Sequence, residues 1–510
     1  MLARVQSYLL QGIDALPCEV EVDFVESDMP KPDEPGQRTM VVGLPDAGVK
    51  ESQERVRSAL FNSGFRPPMG KTLINLAPAD VRKEGPLYDL PIAIGLLVVS
   101  GVIVSDDPLA KRPDRVTAPR KKTDAQESMY AEPHPVQPLD YRRFIFGGEL
   151  ALDGRLRPIK GGIALASLAK AKGYQGVILP AENAAEAAVV DSVEVYGVRT
   201  LSEVVGLLSG RLAAEPHAPP DVGGLLVNAA APIDFADVRG QESVKRAIVV
   251  AAAGGHNLLM LGPPGSGKTM MAKALPGVLP PLSPEEAIEI TRIYSAAGAL
   301  SPGQGLITSR PVRSPHHTAS AAAVVGGGVV PRPGEISLAH KGVLFLDELP
   351  EFPRDVLESL RQPLEDHVVT IARSHSAVRF PASFMLIAAM NPTPKGDVAP
   401  GDVGKRAMET YLSRLSGPLL DRIDIHVEAP AVPWKELSRT ARGETDTPKG
   451  SSTAHMRDQV DAARAMQVPR QGATTSNARL SGKQLDQYAR MDEATLSMLG
   501  SAMTELGLSA

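Results

Sequence analysis

Gly262, Pro263, Pro264, Gly265, Ser266, Gly267, Lys268 and Thr269 form the run GPPGSGKT, with the apolar stretch HNLLML before it and the helix-forming run MMAKAL after it. Its glycines let the backbone curl until N–H groups face phosphate oxygens, and the helix that follows adds its positive end. Lys268 is spaced to reach the β- and γ-phosphates of a nucleoside triphosphate, and the Thr269 hydroxyl to ligate Mg2+. The strand before and the helix after distinguish this loop from a chance glycine-rich turn.

Two downstream segments carry complementary chemistry. In GVLFLDELPEF (342–352) a short apolar strand ends in adjacent acids, as where a buried parallel strand delivers carboxylates to its C-terminal edge. Asp347 is suited to hold the magnesium, directly or through water, and Glu348 to polarise the attacking water as general base. A third strand, FMLIAAMNP (384–392), ends in Asn391, a neutral amide suited to position that water. Considered alone, an Asn before Pro is a turn residue; following the acidic strand, it becomes a third contributor. His316 and His317 in SPHHTAS suggest a metal, but adjacent histidines point apart on a regular strand or helix, and no acid–cysteine cluster accompanies them.

The elements that position these groups alternate strand and helix, so the fold class is α/β. EVEVDFVE (19–26) and TMVVGLP (39–45) read as strands, and GVKESQERVRSALFNSG (48–64) as a helix. The apolar run LPIAIGLLVVSGVIV (90–104) is shorter than the roughly 20 residues of a bilayer span and reads as a buried helix. Residues 106–140, rich in Pro and charge, read as a mobile insertion, and AAEPHAPPDVGG (213–224) has the composition of a linker. A length of 510 residues implies two or three cores. The formal charge of −5 argues against a globally basic nucleic-acid coat without excluding a local basic surface. One cysteine, Cys18, allows no internal disulfide and no cysteine-based zinc site. With a poor signal-peptide pattern at the N-terminus, this favours a cytoplasmic protein.

The three strand ends, in this order, resemble those of the AAA+ ATPases. More narrowly, SPHHTASAAAVVGGGVVPRPGEISLAHKGVLFLDELPEF and RLSGPLLDRIDIHVEAP resemble the Mg-chelatase-like YifB/ComM family, as do VVGLPDAGVKESQERVRSALFNSGF and INLAPADVRKEGPLYDLPIAIG nearer the N-terminus. The resemblance implies an N-terminal domain similar to the proteolytic domain of Lon, of the ribosomal S5 domain 2-like class (1–210). A linker (211–232), an AAA+ P-loop α/β domain (233–430) and a partial helical lid (431–510) follow. Leu87 stands where Lon has its serine, and Ile163 and Ala164 where it has its lysine; Lys160 lies a few residues early. No peptidase activity is expected.

The resemblance also implies ATP and Mg2+ as cofactors, a homo-oligomeric ring, commonly a hexamer, and no membrane. Arg422 in LLDRID resembles an arginine finger acting on the neighbouring subunit's site, with Arg414 as runner-up and a local partner for Asp421 or Asp424 as the plain alternative. Val238 and Gln241 sit where related ATPases hold the adenine. VVTIARSHSAVRFPA (368–382) reads as a β-hairpin. In related rings such a hairpin projects into the pore, so Arg373, His375 and Arg379 would face DNA phosphates; the alternative is a solvated tip. The family's cysteine-rich segment after AAMNP is missing here, so no zinc is expected, and the helical lid looks truncated at ELGLSA. The ComM members imply ATP-driven migration of branched DNA in natural transformation. Two other readings stay open: a chelatase-type ATPase serving metal insertion into a tetrapyrrole, and a nucleotide-binding assembly module without turnover.

Overall fold

The computed structural model describes residues 1–26, 39–68, 70–104, 137–213, 215–227, 233–328, 331–373, 376–393, 411, 413–432, 451–473 and 475–506. Most of the 106–140 insertion therefore lies outside the described residues. The chain forms two compact units. The first comprises Met1–Val222 with Thr291–Ile307, the second Gly223–Ile290 with Thr308–Ala510. The segment Thr291–Ile307 thus groups with the N-terminal unit although it follows the phosphate loop in sequence.

The first unit is built on a seven-stranded sheet. β1 (Leu2–Gln11) and β2 (Asp14–Glu26) form a hairpin around Gly12, whose φ of +69° suits glycine. Their alternation places Ala3 opposite Val22 and Val5 opposite Val20, all four fully buried. β3 (Thr39–Val42), β4 (Gly70–Ala77), β5 (Phe144–Phe146), β6 (Gly176–Pro180) and β7 (Glu194–Val198) complete the order β3-β4-β2-β1-β5-β6-β7. α1 (Ala47–Asn62) starts at Asp46, whose carboxylate accepts from Val49 N at 2.7 Å. The apolar run becomes α2 (Asp89–Val99), apolar and buried almost all round, as a core helix is. No helix among the described residues is long and apolar enough to cross a membrane.

α3 (Gly162–Lys172), α4 (Ala181–Ala187) and α5 (Leu201–Leu208) also belong to this unit. Ser295, from the late segment, accepts at its carbonyl from Gly161 N at 3.3 Å, and Arg292 pairs with Asp14. Within the stretch read as linker, Val222–Val227 form a short helix.

In the second unit α6 (Glu242–Gly254) leads to β8 (Leu258–Leu261), and α7 (Lys268–Ala274) and α8 (Pro284–Ala297) follow, the end of α8 falling in the Thr291–Ile307 segment. β9 (Val312–Arg313), β10 (Val343–Leu346), β13 (Met385–Met390) and β14 (Ile425–Glu428) join β8 in one sheet, ordered β9-β10-β13-β8-β14. Every pairing is parallel. β10 and β13 are buried at every position, which is why they read as continuous apolar runs. Between them, β11 (Val368–Arg373) and β12 (Ser376–Pro381) form a separate antiparallel hairpin with Thr370 opposite Arg379. α9 (Thr453–Gln471) buries Met456 and Val460 in the core it shares with α6, and Gln467 Nε2 donates to Ala253 O at 3.1 Å. α10 (Gly482–Tyr488) and α11 (Glu493–Leu506) follow.

Candidate nucleotide site

Because the strands of the second sheet are parallel, their C-terminal ends share one edge, where open α/β sheets bind ligands. The phosphate loop leaves β8 there, Asp347 and Glu348 leave β10, and Asn391 leaves β13, which lies between them. At Gly262 a Cβ would come within 2.1 Å of the Ala429 carbonyl oxygen, so only glycine lets the loop pass β14's exit. Gly267, at φ +89°, turns the chain into α7. The first N–H groups of that helix have no acceptor within it and are suited to an anion.

Lys268 is 7% exposed. Its ammonium donates to Gly262 O at 2.7 Å, Pro263 O at 2.9 Å, Ser266 Oγ at 3.4 Å and Asn391 Oδ1 at 3.2 Å. Burial pushes its pKa down, while the Asp347 carboxylate pulls it up. A phosphate would supply the charge partner that these neutral oxygens lack. Thr269 Oγ1 donates to Asp347 Oδ2 at 2.8 Å. Hydroxyl and carboxylate oxygens are hard donors of the kind Mg2+ takes, so the set fits that ion.

Glu348 adopts the left-handed conformation at φ +53°, uncommon for a non-glycine residue, and its N–H donates to Asp347 Oδ1 at 3.0 Å. Its Oε2 lies 3.2 Å from His317 Nδ1. The two histidines do not point apart, as a regular element would require. They occupy an irregular stretch after β9 and stack with ring centroids 4.1 Å apart. Among the described residues, no cluster of three or more His, Cys, Asp or Glu could hold a metal ion.

Val238 is buried, and Gln241 Nε2 donates to Ser266 O at 3.2 Å and Pro430 O at 2.6 Å, tying the start of α6 to the loop. Arg422 pairs with Glu365 and donates to the Pro418 carbonyl. Asp424 meets His256 Nδ1 at 3.0 Å. Arg414 pairs with Glu351 at 3.0 Å and lies over the Tyr411 ring at 5.5 Å.

In the hairpin Arg379 is exposed; His375 and the Arg373 side chain lie outside the described residues. In the first unit Ile163 and Ala164 are buried, and the Lys160 carbonyl accepts from Tyr8 Oη at 2.5 Å. Sequence reasoning missed the partners His317 and Glu365, since no spacing rule links residues that meet only in the folded chain.

Comparison with known proteins agrees with this architecture. A family model described as magnesium chelatase, subunit ChlI, matches residues 234–437, a second for subunit ChlI of Mg-chelatase matches 25–110 and 131–183, and one for its C-terminal part matches 450–510. The chain is 41% identical to the uncharacterized protein YifB of Salmonella typhimurium over 100% of its own length and 90% of that protein's. It is 40% identical to the competence protein ComM of Haemophilus influenzae, with the same coverage of each chain. Similarity to the magnesium-chelatase 38 kDa subunit of Rhodobacter capsulatus is 27% over 185 residues, covering 32% of this chain and 52% of that one.

Proposed function

This chain belongs to the YifB/ComM family of Mg-chelatase-like proteins, and from that premise we propose that it binds and hydrolyses ATP as a ring motor acting on branched or single-stranded DNA. The observation that carries the ATPase reading is the convergence of Lys268 with Asn391 and of Thr269 with Asp347 at one sheet edge. Lys268 and the N-terminal amides of α7 hold the phosphates, and Val238 and Gln241 border the base. Asn391 and Glu348 orient the attacking water, whose proton Glu348 receives. Thr269 and Asp347 would hold Mg2+, which would supply charge neutralisation at the phosphate oxygens. Arg422 acts on the neighbouring subunit's site, exchanging Glu365 for the transferred phosphoryl group.

DNA is proposed as the track because the full-length relatives include a competence protein and because Arg379 is exposed on the hairpin. The chelatase reading is the weaker one, because the magnesium-chelatase 38 kDa subunit is 27% identical over 32% of this chain, against 40% over its whole length for the competence protein. The test measures ATP turnover with and without forked DNA, with Lys268→Ala as control. Turnover that rises with forked DNA and vanishes in the variant supports the reading. Turnover indifferent to DNA removes the track, and turnover that survives Lys268→Ala removes the site.

A further inference from the structure

Arg422 is fixed at its backbone and only lightly held at its side chain, a difference that rests its meaning on the reading of Arg422 as the group acting on the neighbouring subunit's site. Its carbonyl accepts from Asn257 Nδ2 at 2.7 Å, and Oδ1 of the same amide accepts from Leu386 N at 2.9 Å. The residue is thereby tied to the starts of β8 and β13. The Arg422 N–H donates to Leu419 O at 3.2 Å. The guanidinium, by contrast, reaches Glu365 and the Pro418 carbonyl, while its Nε is buried and has no acceptor among the described residues. A buried donor without an acceptor is costly, so the side chain leaves this position without giving up a full set of bonds.

Glu365 stands on an element that moves with the hairpin. It lies in the last turn of the short helix Arg361–Asp366, and His367 alone joins that helix to β11. His367 ends the helix at φ +57°, its N–H donating to Pro363 O at 3.0 Å and its carbonyl accepting from Ala382 N at 2.8 Å. The end of the helix and both feet of the hairpin therefore meet at one residue. Val369, Ile371, Val378 and Phe380 bury one face of the hairpin, and Arg379 is exposed on the other. A load on Arg379 is thus passed to the feet rather than absorbed in bending. The side chains of Arg422 and Glu365 are 26% and 50% exposed, so little packing keeps the pair together once its base shifts.

We propose that Glu365 is the positioning residue for the finger: it holds the Arg422 guanidinium within its own chain until DNA at the hairpin shifts the helix Arg361–Asp366 and parts the pair. Freed, the guanidinium donates to the oxygens of the phosphoryl group being transferred on the neighbouring subunit. One anion replaces another at Arg422, so the exchange needs no proton. DNA drives it because DNA binds the parted arrangement more tightly than the paired one.

The test is steady-state ATP hydrolysis of the full chain, with and without saturating forked DNA, in wild type, Glu365→Gln, Glu365→Asp, Arg422→Ala and the Glu365→Gln, Arg422→Ala double variant. Glu365→Gln, which keeps the shape of a half-exposed side chain, is expected to raise the DNA-free kcat about two- to fivefold, as much as an ion pair this exposed withholds. KM for ATP and the DNA-saturated kcat should not change, so the stimulation by DNA falls by the same factor. Glu365→Asp, which keeps the charge, should return the DNA-free rate toward wild type. In the Arg422→Ala background, Glu365→Gln should change neither rate, because its effect passes through the guanidinium. A DNA-free rate in Glu365→Gln at or below wild type, or a rise that persists without the Arg422 guanidinium, overturns the proposal. Wild-type turnover in Arg422→Ala contradicts the reading of the finger itself, and a wild-type chain indifferent to DNA contradicts that of the track; the proposal falls with either.

Discussion

The Asn391 amide oxygen lies 3.2 Å from the Lys268 ammonium, joining residues 123 positions apart because β13 runs parallel to β8 with matched C-terminal ends. The contact gives the ammonium a fourth neutral oxygen in a site where burial disfavours its charge. On the proposed reading, an incoming phosphate would compete for that ammonium and free the amide to orient the attacking water. Asn391→Ala should therefore bind ATP with near wild-type affinity yet lose about 10- to 100-fold in kcat, the size of a lost orienting contact. Fluorescent-nucleotide titration and turnover on one preparation check both halves. Equal losses in binding and rate would make Asn391 a support for the loop.

Lys268 and Glu348 should separate binding from chemistry. Lys268→Ala is expected to abolish ATP binding, and Glu348→Gln to bind ATP while losing hydrolysis by about 10²-fold or more. Equal loss of binding in both variants would make Glu348 structural.

Arg422 is engaged by Glu365 of its own chain, so action on a neighbouring site requires that pair to open. Mixing Arg422→Ala with Glu348→Gln subunits should restore turnover above either parent, because some interfaces pair an intact finger with an intact site. Mixtures no more active than the parents weigh against a shared site.

His367 immediately precedes the hairpin, and its pKa is lowered to about 4, first by burial and then by Arg479 and Lys341, with Asp366 opposing them and His340 adding to the depression. The folded chain thus takes up this proton less readily than the unfolded chain, whose histidine titrates near 6.5. The stability this group contributes is present above that unfolded value and is lost as pH falls from there toward 4. His367 sits at φ +57°, which Asn tolerates, so His367→Asn should flatten that limb of urea midpoints against pH without unfolding the protein at neutral pH. An unchanged limb would assign the acid sensitivity to other groups.

Arg379→Ala combined with Arg373→Ala should weaken DNA binding similarly for unrelated sequences and make the salt slope shallower by about two. ATP binding should be spared. Wild-type affinity and salt dependence in the double variant would move the DNA contact away from this hairpin.

What the sequence disclosed follows from how far each signal reaches. The phosphate loop, the acidic strand end and the 368–382 hairpin are local patterns, and the folded chain has strand, turn or helix where those patterns indicate. The buried helix Asp89–Val99 was legible because apolar residues all round leave no solvent face. Partners across sequence were not legible. The grouping of Thr291–Ile307 with the first unit depends on contacts such as Gly161 N to Ser295 O, between segments more than 100 residues apart. The stacking of His316 on His317 eluded a rule that assumes regular backbone, since the chain there is irregular.

In the proposed function, the edge formed by Lys268, Asp347, Glu348 and Asn391 hydrolyses ATP and forked DNA stimulates that turnover. Its most direct measurement is the ATP turnover rate of the full chain, with saturating Mg-ATP, before and after addition of forked DNA, beside the same pair of rates for Glu348→Gln. The wild-type rate should rise on adding DNA, and the variant rate should be lower by about 10²-fold or more under both conditions. A Glu348→Gln rate equal to wild type, or a wild-type chain with no turnover in either condition, would contradict it.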